Sequence, residues 1–196
     1  NVYLTIDLNL QQALEEALTK GMERTLAQHA MGVVLDTQTG EVLAMAALPE
    51  FNPNEFWKSD YRTLKNPLVS DVYEPGSTFK VVPIAAGINE SIFTKDDTFY
   101  CPNQFAVGNR VIREAHNHVE KNMTITEILM ESLNVGVAQI GLKIGPRLLE
   151  KYIYALGFGQ TTGIELPGES KGIEVAGEPG ATIPAVVGGI CLVLAF

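Results

Sequence analysis

The stretch Glu74-Pro75-Gly76-Ser77-Thr78-Phe79-Lys80 leads into an apolar segment, residues 81–87, and anchors the interpretation of the whole chain. Pro75-Gly76 is typical of a turn and the apolar segment is typical of a helix, so we expect Ser77 at or near a helix N-terminus. Lys80 follows one turn later and would share a helix face with Ser77. A buried lysine with a lowered pKa can take the proton of a serine hydroxyl, so the stretch predicts a nucleophilic serine with its base.

A Ser-x-x-Lys pair is a weak motif by itself, because a chain with six serines and nine lysines often contains one by chance. The alternative interpretation is an N-cap serine followed by a surface lysine. A Ser-His-Asp triad also stays open, since triads are defined by geometry, although no Gly-x-Ser-x-Gly motif surrounds Ser77.

A second motif, Ser132-Leu133-Asn134, falls between two predicted helices. A hydroxyl and a carboxamide at such a boundary could face a cleft that the Ser77 helix lines. The alternative is an ordinary polar turn between helices. Both motifs lie at helix boundaries, in the order and approximate separation expected of one active site.

The pair His116 and His118 suggests a metal site, but a site needs a third ligand, and only Glu114 and Glu120 are close in the sequence. Solvated loop histidines are the favoured interpretation. We therefore expect neither a metal nor a cofactor.

The composition, 46% hydrophobic and 19% charged over 196 residues, predicts a globular protein with a real core. A net charge of −9 argues against a nucleic-acid partner. The apolar run at residues 184–196 is too short to span a membrane. Because the chain begins at Asn1 without methionine, we expect a fragment whose targeting segment lies outside it. Cys101 and Cys191 have no zinc-like spacing, and a disulfide between them stays open.

Apolar periodicity predicts an α+β fold with an antiparallel sheet. The expected elements of the first half are a strand at residues 2–6, a helix at 10–29, a hairpin at 32–46 and a surface loop at 49–67. Those of the second half are helices at 77–89, 124–131, 135–144 and 147–156, with an irregular segment at 91–122 that has short strand-like pieces.

Several strings together resemble the transpeptidase domain of class B penicillin-binding proteins, the serine acyltransferases that cross-link peptidoglycan. The resembling segments are residues 2–12, 32–53, 74–80 (Glu-Pro-Gly-Ser-Thr-x-Lys), 132–134 (Ser-x-Asn) and 157–172 (Gly-Phe-Gly through Leu-Pro-Gly-Glu). The resemblance implies a penicillin-binding protein/serine β-lactamase-like α+β fold, an antiparallel sheet with a helical subdomain. It covers an incomplete transpeptidase-like domain at residues 1–175, and residues 176–196 would be a remnant or substitute of the missing part.

The resemblance also implies roles for four residues in a peptidoglycan D,D-transpeptidase. Ser77 would attack the D-alanyl-D-alanine carbonyl, with Lys80 as its base. Ser132 would relay a proton to the leaving group, and Asn134 would bind the substrate amide or help hold Lys80.

The partners implied are peptidoglycan stem peptides ending in D-Ala-D-Ala, β-lactam antibiotics, which would acylate Ser77, and cell-wall synthesis proteins. The expected location is the extracytoplasmic (periplasmic) face of the bacterial membrane, with an anchor that precedes this chain.

One feature of the family is missing, because the sequence contains no Lys-Thr-Gly or Lys-Ser-Gly. In the family that box lies on a strand beside the serine, binds the substrate carboxylate and supplies an oxyanion N–H. The chain as given is therefore expected to be impaired. Two other functions stay open: a β-lactamase or D,D-carboxypeptidase, and a non-catalytic binding module.

Overall fold

The structure, a computed structural model, describes residues 1–108, 110–174 and 192–195. It contains two compact units, one formed by Asn1–Asp71 and Ile164–Ser170, the other by Val72–Gly163 with a continuation from Lys171. The expected division of the chain at residue 175 stays a prediction, since residues 175–191 lie outside the described part.

The first unit is built on a helix and a hairpin. Helix α1 (Leu8–Thr25) packs on the antiparallel strands β1 (Ala30–Leu35) and β2 (Val42–Leu48), which confirms the predicted hairpin. The helix ends before the predicted residue 29, because Leu26 adopts a left-handed conformation with φ 56°. Helix and strand approach closely at Gly32, where an added Cβ would lie 2.8 Å from the Leu14 side chain.

The strand predicted at residues 2–6 is wrong, because that segment is irregular. The outer edge of β2 is instead hydrogen-bonded by Asp7, whose N–H donates to the Leu43 carbonyl, and by the side chain of Gln11. The Gln11 carboxamide donates to the Met45 carbonyl over 3.0 Å and accepts from the Met45 N–H over 2.8 Å. A side chain of α1 thus pairs with the backbone at this edge of β2.

The segment predicted as a long loop contains short helical turns. These are two 3₁₀ helices, Pro53–Lys58 and Tyr61–Thr63, and helix α2, Pro67–Ser70. An exposed edge-to-face pair, Phe56 and Trp57, lies on the first of them.

The second unit contains the predicted helices and several short strands. In chain order it has β3 (Val72–Tyr73), a 3₁₀ helix (Gly76–Lys80), α3 (Val81–Asn89), β4 (Thr98–Cys101), β5 (Gln104–Val107), β6 (Arg110–Arg113), β7 (Lys121–Thr124), α4 (Ile125–Met130), α5 (Asn134–Ile144), α6 (Pro146–Ala155), β8 (Ile173–Glu174) and β9 (Leu192–Ala195). Strand β4 pairs with β7, β5 with β6, and β8 with β9, all antiparallel, while β9 also neighbours β3. Four strands therefore occupy the segment predicted as irregular with strand-like pieces.

The core of this unit lies where α3, α4, α5 and α6 meet. Its fully buried side chains include Val82, Ile125, Ile128, Val137, Ile140 and Ile153. The predicted capping box of α4 is present, since Thr124 and Glu127 each bond the backbone N–H of the other. In the described part of the chain no helix has both the length and the apolarity of a membrane span.

Candidate active site

Ser77 lies in the first turn of the 3₁₀ helix Gly76–Lys80. Gly76 begins the helix with φ 55°, a conformation that glycine adopts without steric cost. The side chain of Phe79 is buried in the core, whereas Ser77 is exposed. Residues three apart eclipse each other in a 3₁₀ helix, so Ser77 and Lys80 lie on one line along its surface.

The alternative of an N-cap serine with a surface lysine is not what the structure shows. The N-cap position is Pro75, and Ser77 lies inside the helix. Lys80 is 5% exposed, a rare condition for a lysine, which is almost never buried unless it is paired.

The Lys80 amine is held by the second predicted motif. Its Nζ donates to the Ser132 carbonyl oxygen over 2.5 Å, to Ser132 Oγ over 3.1 Å and to Asn134 Oδ1 over 2.7 Å. Lys80, Ser132 and Asn134, residues of the two predicted motifs, therefore lie in contact. Among the described residues the Ser77 hydroxyl is not a hydrogen-bond partner of this amine.

Burial lowers the pKa of Lys80, because removal from water disfavours the ammonium form, and the charge of Glu114 opposes this by raising it. An ammonium has three N–H donors, which matches its three acceptors here. A neutral amine has two donors and a lone pair. Loss of one proton would release the longest contact, that with Ser132 Oγ, and let the amine accept a proton from a hydroxyl.

The Ser132-Leu133-Asn134 turn is shaped so that its polar side chains face this amine. Leu133 is buried in the core, which directs its two neighbours away from it. Ser132 has φ 55°, a left-handed conformation that is uncommon outside glycine.

Asn134 is the first residue of α5, and its carboxamide orientation is fixed at both ends. Nδ2 donates to the Arg113 carbonyl over 3.0 Å, while Oδ1 accepts from Lys80. Of the two roles that the resemblance implied for Asn134, the contact with Lys80 is the one formed here.

Glu114 is the residue of this site that sequence reasoning missed. Its Oε2 accepts the Asn134 N–H over 2.6 Å and its Oε1 accepts the Val135 N–H over 2.8 Å. The sequence suggested this carboxylate only as a metal ligand. Its partners lie about 20 positions further along the chain, so no local pattern marks the contact.

The histidine pair does not form a metal site with its neighbouring carboxylates. Glu114 bonds helix α5, and Glu120 accepts from the backbone and side chain of Asn103. No group of three metal-ligating side chains occurs among the described residues. His118 Nδ1 instead lies 2.9 Å from the Val119 carbonyl oxygen.

Cys101 has no disulfide partner among the described residues, and burial of its thiol raises its pKa to about 11. It is therefore neutral and a poor nucleophile at neutral pH. Cys191 lies outside the described residues, so a disulfide between Cys101 and Cys191 stays untested.

The profile of the penicillin binding protein transpeptidase domain matches residues 30–184 of this chain. Two relatives are similar over 173 residues, or 88% of the chain. One is penicillin-binding protein PbpB of Mycolicibacterium smegmatis, 34% identical, and the other is peptidoglycan D,D-transpeptidase FtsI of Buchnera aphidicola, 32% identical. The chain spans only 27% and 30% of their respective lengths.

The fold matches that of solved relatives. The crystal structure of penicillin-binding protein 3 from Mycobacterium tuberculosis superposes with a TM-score of 0.91 at 31% identity, over 98% of this chain and 44% of that one. This agreement confirms the α+β fold predicted from the sequence. The chain belongs to the penicillin-binding protein transpeptidase domain family.

Proposed function

We propose that this domain is a serine acyltransferase, a peptidoglycan D,D-transpeptidase that cross-links stem peptides. The observation that carries the proposal is the buried amine of Lys80. Lys80 lies on the same face of the 3₁₀ helix as the exposed Ser77, and its amine donates hydrogen bonds to Ser132 and Asn134. The proposal is supported by the name of one relative, peptidoglycan D,D-transpeptidase, and by crystals of the M. tuberculosis relative with ampicillin and with aztreonam.

In the first half of the reaction Ser77 Oγ attacks the carbonyl carbon of the penultimate D-alanine. The neutral amine of Lys80 takes the hydroxyl proton as the new C–O bond forms. The C–N bond to the terminal D-alanine then breaks, and its amine leaves with a proton that passes from Lys80 through the Ser132 hydroxyl. The product is an acyl ester on Ser77.

In the second half an amine from another stem peptide attacks the ester carbonyl. The amine gives up a proton through the same Lys80 and Ser132 route, and the C–O bond to Ser77 breaks as the proton returns to its oxygen. A new amide bond joins the two peptides.

The negative charge on the carbonyl oxygen would be met by the backbone N–H of Ser77, at the start of its helix. The second oxyanion donor of the family belongs to the Lys-Thr-Gly box, which is not in this sequence. Because the chain as given contains no copy of this box, other residues have to supply the second oxyanion donor and to bind the substrate carboxylate.

The proposed substrates are stem peptides ending in D-Ala-D-Ala, and β-lactams are proposed to acylate Ser77 as substrate mimics. The proposed place of action is the extracytoplasmic side of the bacterial membrane, where peptidoglycan is made. A membrane anchor and contacts with other cell-wall synthesis proteins complete the proposal.

The test is acylation by a fluorescent penicillin, measured on the full gene product and followed by mass spectrometry of the Ser77 peptide. We expect one stable adduct on Ser77 and none in Ser77→Ala. An otherwise identical Thr78→Ala variant is the control, since the Thr78 hydroxyl lies next to Ser77 in the chain and donates to the Pro75 carbonyl.

The alternatives give different results in the same assay. Steady release of opened β-lactam would indicate a β-lactamase or carboxypeptidase. Reversible binding that survives Ser77→Ala, with no adduct on the unsubstituted protein, would indicate a non-catalytic module. Either result would contradict the transpeptidase proposal.

A further inference from the structure

Glu114 lies directly after β6 and spans from that strand to the start of α5. Each of its carboxylate oxygens accepts one backbone N–H, from Asn134 and from Val135. Helix α5 has no side-chain cap of its own and no acidic residue in its first turn. Glu114 therefore satisfies N–H groups that every helix start leaves unpaired, and it places a negative charge at the positive end of the helix.

This contact reaches the amine of Lys80 through a single residue. The Asn134 N–H donates to Glu114 Oε2, and Asn134 Oδ1 accepts from Lys80 Nζ over 2.7 Å. Arg113, the neighbour of Glu114, holds the other end of the same carboxamide. Arg113, the last residue of β6, and Glu114, the next residue, thus fix the side chain and the backbone of Asn134.

Glu114 also faces Lys80 electrostatically. In the described part of the chain it is the charged group that raises the pKa of Lys80, against the effect of burial, and the direct partners Ser132 and Asn134 are neutral. The Cys101 thiol also lies near Glu114; burial and then the Glu114 charge raise the pKa of this thiol, which keeps it neutral. The charge balance around the amine therefore depends on this carboxylate.

We propose that Glu114 is a positioning residue of the acyl-transfer site, which holds Asn134 against Lys80 and sets the pH range in which Lys80 can accept the Ser77 proton. This role rests on the proposed function, since it concerns the same reaction. The competing explanation is a purely structural helix cap, which would affect folding and leave the pH range unchanged.

Glu127 provides the matched control, because it is also a carboxylate that accepts a backbone N–H at a helix start, here in the capping box of α4. It forms no contact with Lys80. Glu127→Gln likewise removes a carboxylate charge at a helix start, while its amide oxygen can still accept the Thr124 N–H, so only the Glu114 substitutions should affect the reaction.

Two substitutions of Glu114 separate the effect of its negative charge from the effect of its side-chain length. Glu114→Gln removes the charge and replaces one acceptor by an NH₂ group that cannot accept the second N–H. Glu114→Asp keeps the charge and shortens the side chain by one methylene. The rate constant of penicillin acylation is measured across pH for the full gene product and for all three variants.

For Glu114→Gln we expect the rising limb of the pH profile to move to lower pH, because loss of the negative charge makes the Lys80 ammonium easier to deprotonate. The plateau rate should fall about ten- to a hundredfold, the usual effect of displacing a catalytic group. Glu114→Asp should keep the limb in place with a smaller loss of rate. Glu127→Gln should match the unsubstituted protein in both.

A carbon-13 NMR titration of the lysine Cε signals gives a second readout that needs no activity, with Lys80 assigned by its loss in Lys80→Arg. The Lys80 signal should titrate at lower pH in Glu114→Gln. An unchanged titration, or a rate loss without a shift of the pH limb, would overturn the role of Glu114. Absence of a Ser77 adduct in the unsubstituted protein would instead overturn the proposed function, so the two failures are distinguishable.

Discussion

At the scale of single residues, the site combines a buried amine with a strained hydroxyl-bearing turn. Lys80 is buried at a cost that its contacts with Ser132 and Asn134 offset, since an unpaired buried charge is strongly unfavourable. Ser132 holds a left-handed backbone that positions both its carbonyl and its hydroxyl toward this amine. Such strain persists only where the surrounding structure enforces it.

We therefore expect two substitutions that both remove the Ser132 hydroxyl to differ in their effect on stability. Ser132→Ala and Ser132→Gly should each slow penicillin acylation about a hundredfold or more, because both lose the proposed proton relay. Ser132→Gly should be more stable than Ser132→Ala by up to about 1 kcal/mol, because glycine adopts φ 55° without strain. Denaturant unfolding and acylation kinetics check the two effects.

Ser91 is the control for this prediction, since it also has a left-handed φ of 54° and follows α3, away from the Lys80 contacts. Ser91→Ala and Ser91→Gly should reproduce the stability difference and leave acylation unchanged. Equal stability of the two Ser132 variants, together with a clear difference at Ser91, would show that Ser132 is not strained.

At the scale of secondary structure, the position of Asn134 depends on how closely α5 packs on α4. Gly136 lies two residues into α5, and a Cβ added there would come within 2.7 Å of Cγ2 of the fully buried Ile128. The close approach of the two helices at this point fixes the start of α5, and with it the carboxamide that holds Lys80.

We expect Gly136→Ala to destabilise the protein by about 1–3 kcal/mol, because overpacking exceeds the gain in helix propensity. It should also slow acylation through displacement of Asn134. Thermal unfolding and acylation kinetics measure both effects.

Gly21→Ala in α1 should have the opposite effect and stabilise by up to about 1 kcal/mol, because nothing lies within 4 Å of its added Cβ. Combining Gly136→Ala with Ile128→Ala should cost less than the sum of the two changes, since the second makes room for the first. Strict additivity would contradict the proposed clash.

Elements with strong local signals were predictable from the sequence. The capping box at Thr124 and Glu127 marks the start of α4 within four residues of chain, and the apolar periodicity of α1 extends over 18 residues. Strands β4 to β7 have only four residues each, which gives too few alternations to define them beyond strand-like pieces. The strand expected at residues 2–6 was wrong, since so short an alternating pattern defines a strand poorly, and the segment contacts β2 through the Thr5 hydroxyl, which donates to the Val42 carbonyl.

The candidate site was predictable to the extent that its residues lie in compact motifs. Ser77, Lys80, Ser132 and Asn134 stand out because each pair lies within three positions and the pairs resemble a known family. Glu114 stands in no such motif. Its role depends on which helix start the end of β6 meets, and that is decided only when the chain folds.

At the scale of the whole molecule, the sequence of 196 residues contains no Lys-Thr-Gly or Lys-Ser-Gly box, although the family resemblance leads us to expect one. We expect residues 1–196 alone to be acylated by penicillin at least about a hundredfold more slowly than the M. tuberculosis relative, because loss of one oxyanion donor has an effect of that size. Time courses of fluorescent labelling compare the two, with Ser77→Ala as the background. Equal rates would show that the box is dispensable.

The pairing of Gln11 with Met45 has a consequence for how copies of this protein can associate. Sheets that add strands at both outer edges can grow without limit, as in amyloid fibrils. In the hairpin sheet, as far as the described residues show, the β2 edge is closed at Met45 by a glutamine side chain and the unpaired row belongs to β1. The Asp7 N–H and the Gln11 carboxamide therefore cap this edge much as a terminator caps a growing polymer, since they occupy backbone groups of Leu43 and Met45 that an added strand would need.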